Sequence, residues 1–110
     1  HKIAAKIRRA VRDVAAPKII ALGAAYKPNT EDTRESPALE IVALLRGDGY
    51  DVEQYDPLVD GMGYTSLLDI CKDADCLAIL VPHTDIIAEL DANREAIEAA
   101  MRTPIIERLQ

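Results

Sequence analysis

The ten residues Tyr26-Lys-Pro-Asn-Thr-Glu-Asp-Thr-Arg-Glu35 crowd a phenol, two cations and three carboxylates into one polar stretch just before Ser36-Pro37. Lys27 is a compact charged donor suited to a phosphate or sugar oxygen, and Arg34 presents a planar fork. Together they bracket the start of a helix, where unpaired backbone N–H groups and the helix dipole favour an anion. That combination outlines a phosphate clamp. The same residues also permit a solvated loop in which Lys27 and Arg34 pair with Glu31, Asp32 or Glu35, and charge and spacing alone leave both readings open. The dinucleotide fingerprint needs three glycines so that backbone can approach a pyrophosphate. Only Gly23 lies near this stretch, which disfavours an ordinary NAD site.

The remaining reactive residue types carry less. Cys71 and Cys76 are spaced C-x4-C without a second pair, so buried free thiols are expected rather than a metal site or a nucleophile. His83 reads as a polar residue of a loop beside the ligand-binding edge of a sheet, not as a catalyst. Asp56-Pro57 reads as strand termination: without the glycines, an acid holding a ribose has little to act with.

The elements that position these residues follow from hydrophobic periodicity. Ile3, Ile7, Ala10, Val11 and Val14 recur at helical spacing, predicting an amphipathic helix over 2–15 that ends before Pro17. A buried strand is expected over 18–25. Ser36 as N-cap with Pro37 at the first helical position opens a helix reaching Gly47 and Gly49. An alternating strand over 50–55, a short helix around 66–74 and a strongly apolar strand over 76–81 come next. Residues 84–101 read as helix in two pieces meeting near Asp91, and 104–106 as a last strand. Strands alternating with helices imply an α/β fold, a three-layer, Rossmann-like doubly wound parallel sheet with right-handed crossovers, preceded by an amphipathic connector helix. Ligands of such sheets sit beyond the carboxyl ends of the strands, which is where residues 26–35 fall.

Composition agrees with that class. Hydrophobic residues make up 49% and charged residues 29%, and with no Phe or Trp the core must come from Ile, Leu, Val and Ala. No apolar run approaches the roughly 20 residues of a membrane span and no leader opens the chain, so no membrane contact and a cytoplasmic location are expected. Residues 1–18 hold six Lys and Arg against Asp13, a local +5 that leaves −11 on the rest of a chain whose net charge is −6. A body that acidic is a poor polyanion surface, so nucleic acid is not expected as a partner. The basic segment reads as the solvated face of a helix. Beginning at His1 rather than Met is what a piece of a longer protein would show.

Residues 20–57 carry a more specific pattern: Gly23, Tyr26-Lys27-Pro28, Thr30, Asp32, Arg34-Glu35-Ser36-Pro37-Ala38 and Tyr55-Asp56-Pro57. It resembles the C-terminal UDP-binding domain of the UDP-glucose/GDP-mannose dehydrogenase family, and the similarity continues through Ala74-Asp75 to His83. The resemblance implies a UDP-binding Rossmann-like domain over 18–110, with 1–17 a connector helix from a part of the protein preceding this chain. It further implies an NAD-dependent enzyme that oxidises the C6 alcohol of a nucleotide sugar to the acid. NAD and the catalytic cysteine would belong to the rest of the protein, with no catalytic residue, cofactor or metal expected on these residues. The partners implied are a UDP-sugar, the remainder of the same chain, and further copies in a homo-oligomer.

Carried onto this sequence, the resemblance assigns Tyr26 and Lys27 to contact with the nucleotide sugar. Arg34 is carried as a substrate-binding candidate with a mixed role, shaping the loop through Asp32 or Glu35 and adding positive field, with Asp32 supporting the loop and Ser36 capping the helix. The family also places an arginine just after the last strand. Here the sequence reads Glu107-Arg108-Leu109, with Arg108 one position early, so Arg108 is carried as a substrate-binding candidate with its register in question. Val81-Pro-His83 is similar to members acting on UDP-N-acetyl-mannosamine. The competing readings are a stand-alone nucleotide-binding or regulatory module, and an assembly module in which the leading helix and a sheet edge associate.

Overall fold

A computed structural model describes residues 1–63 and 66–109; the expected domain end at Gln110 and residues Tyr64 and Thr65 lie outside these. Its elements are α1 (Lys2–Ala10), β1 (Lys18–Leu22), α2 (Pro37–Gly47), β2 (Asp51–Tyr55), α3 (Leu67–Ile70), β3 (Cys76–Ile79), α4 (Thr84–Ala100) and β4 (Ile105–Arg108). The strands form one parallel sheet in the order β2-β1-β3-β4.

Period-two side-chain alternation divides the strands between two cores. Ile19, Ala21, Cys76, Ala78 and Val52 face one layer, where Ala4 and Ile7 of α1 and Ile41, Val42 and Leu45 of α2 cover them. Ile20, Leu22, Leu77, Ile79 and Tyr55 face the other, under Leu67 and Ile70 of α3 and Ile86, Leu90 and Ile97 of α4. This is the expected three-layer arrangement. α1 is thus part of one core and packs on α2 and β4. Both cysteines are buried, and burial pushes each thiol up to about 12. Among the described residues no helix is long and apolar enough to cross a membrane.

Several boundaries differ from the periodicity, each for a local reason. α1 stops at Ala10, because Val11 to Ala16 turn back toward β1 and Ala16 takes φ 46°. β1 ends at Leu22, not at 25, because Gly23 turns with φ 99° and gives its N–H to Tyr55 O. β3 ends at Ile79 because Leu80 and Val81 both donate to Leu22 O. α4 kinks at Asn93, whose side-chain amide donates to Glu89 O, the carbonyl a helical N–H would otherwise use. β4 starts after Pro104, which has no N–H for the ladder, and runs on to Arg108 beyond the expected 104–106.

At the amino-terminal edge of the sheet the buried Asp75 carboxylate accepts from Lys18 N (2.8 Å), Thr103 Oγ1 (2.7 Å) and the Arg102 guanidinium. The Arg102 hydrogen bonds, reinforced by the Lys18 and Thr103 donors, hold its carboxyl well below the usual carboxylate range. The unfolded chain therefore takes up this proton at higher pH than the folded one. The stabilisation is full above about pH 4 and drains away as pH falls through the folded value. Half exposure of Arg102 tempers the effect to about 1–2 kcal/mol. Urea titrations between about pH 6 and pH 2 should show Asp75→Asn losing that amount at the upper end, with the difference narrowing as pH falls below about 4. A constant difference across the range would show that the carboxylate charge is not responsible.

Candidate functional site

The segment joining β1 to α2 lies over the carboxyl edge of the sheet, and its course is fixed at four points. At its start Ala24 N donates to Asp56 Oδ2 (2.8 Å). Tyr26 N donates to Asp32 O (3.0 Å), closing the loop on itself. At the tip Asn29, in the left-handed region at φ 62°, donates its N–H to His83 Nδ1 (2.8 Å). At the end Ser36 Oγ donates to Ala25 O (3.2 Å). Ser36 does occupy the N-cap position of α2 but makes no side-chain cap, a correction to the expected role. Its hydroxyl is spent on Ala25, and Pro37 removes one N–H from the helix start.

Asp56 does more than end β2. Its carboxylate is fully buried: Oδ1 accepts from Leu58 N (2.9 Å), while Oδ2 accepts from Ala24 N and sits 2.8 Å from His83 Nε2. Because Nδ1 of His83 accepts from Asn29, Nε2 carries the proton and donates to Asp56. His83 is therefore a buried structural link rather than a residue of an open loop. Asn29 also returns a contact, its Oδ1 accepting from Thr84 N (2.9 Å) at the start of α4. Periodicity could not expose this set, because Asn29, Asp56 and His83 are far apart in sequence. The available signal was that Asp56-Pro57 and Pro82-His83 both follow strands that end on one edge.

The two cations of the loop have different fates. Arg34 pairs with Asp32 rather than Glu35, through Nε to Oδ1 (3.0 Å) and Nη2 to Oδ2 (2.6 Å). These hydrogen bonds lower the Asp32 carboxyl to about 2 and raise the Arg34 guanidinium. Among the described residues Lys27 enters no ion pair, and its ammonium lies 5.4 Å from the centre of the Tyr26 ring. Tyr26 itself is 45% exposed, unusual for a large apolar side chain in this protein.

Two clefts meet at Tyr26 and Pro37. The larger, about 620 Å³, is lined by Tyr26, Asp32, Arg34, Glu35 and Pro37. The smaller, about 270 Å³, runs between residues 25–28 and the β3 exit at 80–82, and Lys27 lines it. Both are open sites on the strand ends, of a size for a ligand of modest dimensions. Arg108 ends β4, two strands over from β1 on the same edge, and lines neither cleft. The structure thus brings Tyr26, Lys27, Asp32 and Arg34 to one place, with Ser36 beneath them, and leaves Arg108 apart.

A dinucleotide does not fit the first-strand turn. The space a Cβ would take at Gly23 is filled by Val81, with Val81 Cβ 2.5 Å away, so this glycine serves packing and offers no cradle to a pyrophosphate. No cluster of three or more His, Cys, Asp or Glu among the described residues could hold a metal ion.

Comparison with known proteins places this geometry in context. Residues 20–107 match the family model of the UDP-glucose/GDP-mannose dehydrogenase family, UDP binding domain. The chain is 40% identical over 88 residues to a UDP-N-acetyl-D-mannosamine dehydrogenase of Pyrococcus horikoshii, covering 80% of this chain and 20% of that protein. It is 33% identical over 107 residues to a UDP-glucose 6-dehydrogenase of Rhizobium meliloti, covering 89% and 24%. A solved UDP-D-ManNAc dehydrogenase from Pyrococcus horikoshii superposes with a TM-score of 0.82 at 34% identity, over 97% of this chain and 26% of that one. The chain spans about a fifth to a quarter of the length of these relatives.

Proposed function

From the premise that this chain belongs to the UDP-glucose/GDP-mannose dehydrogenase family, as its UDP-binding domain, we propose that it holds the nucleotide of a UDP-sugar. The substrate would be oxidised at C6 by the rest of an NAD-dependent dehydrogenase. The observation that carries the site assignment is the ammonium of Lys27, outside every ion pair among the described residues, beside an exposed Tyr26 at the mouth of clefts on the strand ends. Lys27 donates to a diphosphate or sugar oxygen, and the Tyr26 ring offers a flat apolar face beside it. Arg34, occupied by Asp32, adds positive field and stiffens the loop rather than gripping the ligand.

NAD supplies hydride acceptance, and its binding site and the catalytic cysteine belong to portions of the enzyme outside these residues. Residues 1–17 form the connection to them, 18–110 the nucleotide domain, and the full enzyme is a cytoplasmic homo-oligomer. Among possible sugars, the relatives named UDP-N-acetyl-D-mannosamine dehydrogenase favour an amino sugar.

Calorimetric titration of this chain with UDP, and separately with GDP, tests the assignment. A few charge-assisted hydrogen bonds set against association costs predict a micromolar-to-millimolar site selective for UDP. Lys27→Ala should weaken it at least about tenfold, the equivalent of about 1.4 kcal/mol. UDP binding that is indifferent to Lys27 would place the nucleotide elsewhere.

A further inference from the structure

We propose that Asp56, His83 and Asn29 form a positioning relay that holds Tyr26 and Lys27 in their nucleotide-binding arrangement. The inference rests on the nucleotide reading above and goes beyond it, to the residues that prepare the site without touching the ligand. Tyr26 and Lys27 lie within the segment from Ala24 to Asn29. Both ends of that segment are tied to one carboxylate oxygen: Ala24 directly, Asn29 through the imidazole of His83.

Each member of the relay is fixed from a different element. Asp56 follows β2 and is locked by Leu58 N; His83 precedes α4; Asn29 is held a second time by Thr84 N. The ring of His83 must accept on one side and donate on the other, so its orientation is determined and with it the height of the loop tip. Exposed loops ordinarily sample several conformations at a cost in binding entropy. A tip anchored to a buried pair arrives already ordered.

Asn29 allows a test that leaves the buried groups intact. Its side chain is exposed and its backbone sits at φ 62°, a conformation that glycine adopts readily and a β-branched residue resists. Asn29→Val should therefore release the tip, while Asn29→Gly keeps the N–H on His83. His83→Leu removes the link itself. The measurements are the UDP dissociation constant by calorimetry, amide hydrogen exchange at residue 29, and the urea unfolding midpoint.

Asn29→Val is expected to weaken UDP binding about tenfold and to speed exchange at residue 29, with a smaller fall in the unfolding midpoint than His83→Leu shows. Asn29→Gly is expected to stay within about threefold of wild type, and His83→Leu, where it folds, to match the valine variant. UDP affinity in Asn29→Val equal to wild type would overturn the relay and leave the nucleotide reading standing. No UDP binding by wild type would overturn the nucleotide reading, and the relay's role with it.

Discussion

Asp56→Ala is expected to lower the free energy of unfolding by about 3–5 kcal/mol, a large share of what a domain of this size possesses. The substitution removes the acceptor for Ala24 N, Leu58 N and His83 Nε2 at once. Ala24 and His83 are fully buried, so each of those two donors is left with its desolvation cost and no partner. Asp56→Asn keeps one oxygen and should recover part of the loss, because the amide oxygen in the place of Oδ2 can still accept from Ala24 N and His83 Nε2 while its NH2 group faces Leu58 N. Urea unfolding followed by circular dichroism would measure both. A loss under about 1 kcal/mol for the alanine variant would mean that the donors find other partners.

Gly23→Ala should cost about 3 kcal/mol or more, by two separable routes. The first is conformational: φ 99° lies where L side chains are strained, at roughly 1–2 kcal/mol. The second is steric, since an added Cβ would meet Val81 Cβ at 2.5 Å and Val81 N at 2.8 Å. Overpacking of this kind adds about 1–3 kcal/mol. Truncating Val81 to alanine cannot relieve it, because the atoms in the way are its Cβ and its backbone nitrogen. Gly49 serves as the control, with φ 91° and nothing within 4 Å of where a Cβ would sit. Gly49→Ala should therefore show the conformational share alone, and the difference between the two unfolding midpoints isolates the clash. Equal losses at the two sites would show that strand packing around Val81 yields.

How far the sequence carried depended on whether the determining contacts were local. The apolar runs at 18–22 and 76–79, the alternation at 51–55 and the helical spacing in 37–47 expressed the layer structure directly, since a strand covered on both faces reads as a continuous apolar run and burial on one sheet face or helix stripe repeats at a fixed period. Strand ends were overextended at Gly23 and Leu80 because apolar residues continue past the point where the ladder stops. Leu22 O takes two donors there, a fact no periodicity encodes. Ser36 had the right type and place for a helix cap, and a carbonyl from β1's exit outcompeted the helix for its hydroxyl. Arg34 was expected to act through Asp32 or Glu35, and the fold shows that Asp32 is the one that holds it. The relay through His83 was hidden for a different cause: its members are separated by 27 residues at the nearer step and 54 at the farther.

The central position of β1 also has a consequence in time. Ile19 pairs with Val52 on one side and Cys76 on the other, so the first strand made is the one whose second neighbour comes 57 residues later. At ribosomal speeds of about 5–20 residues per second, that interval is roughly 3–11 s during which Ile19, Ile20 and Leu22 have no complete sheet to enter. Topologies dominated by such distant pairings close long loops before any strand contact repays them, and they fold in milliseconds to seconds rather than microseconds. The nascent chain is thus exposed to association through β1 until β3 emerges, and of those three residues only Ile19 lies on the face that Ala4 and Ile7 of the leading helix cover in the finished protein.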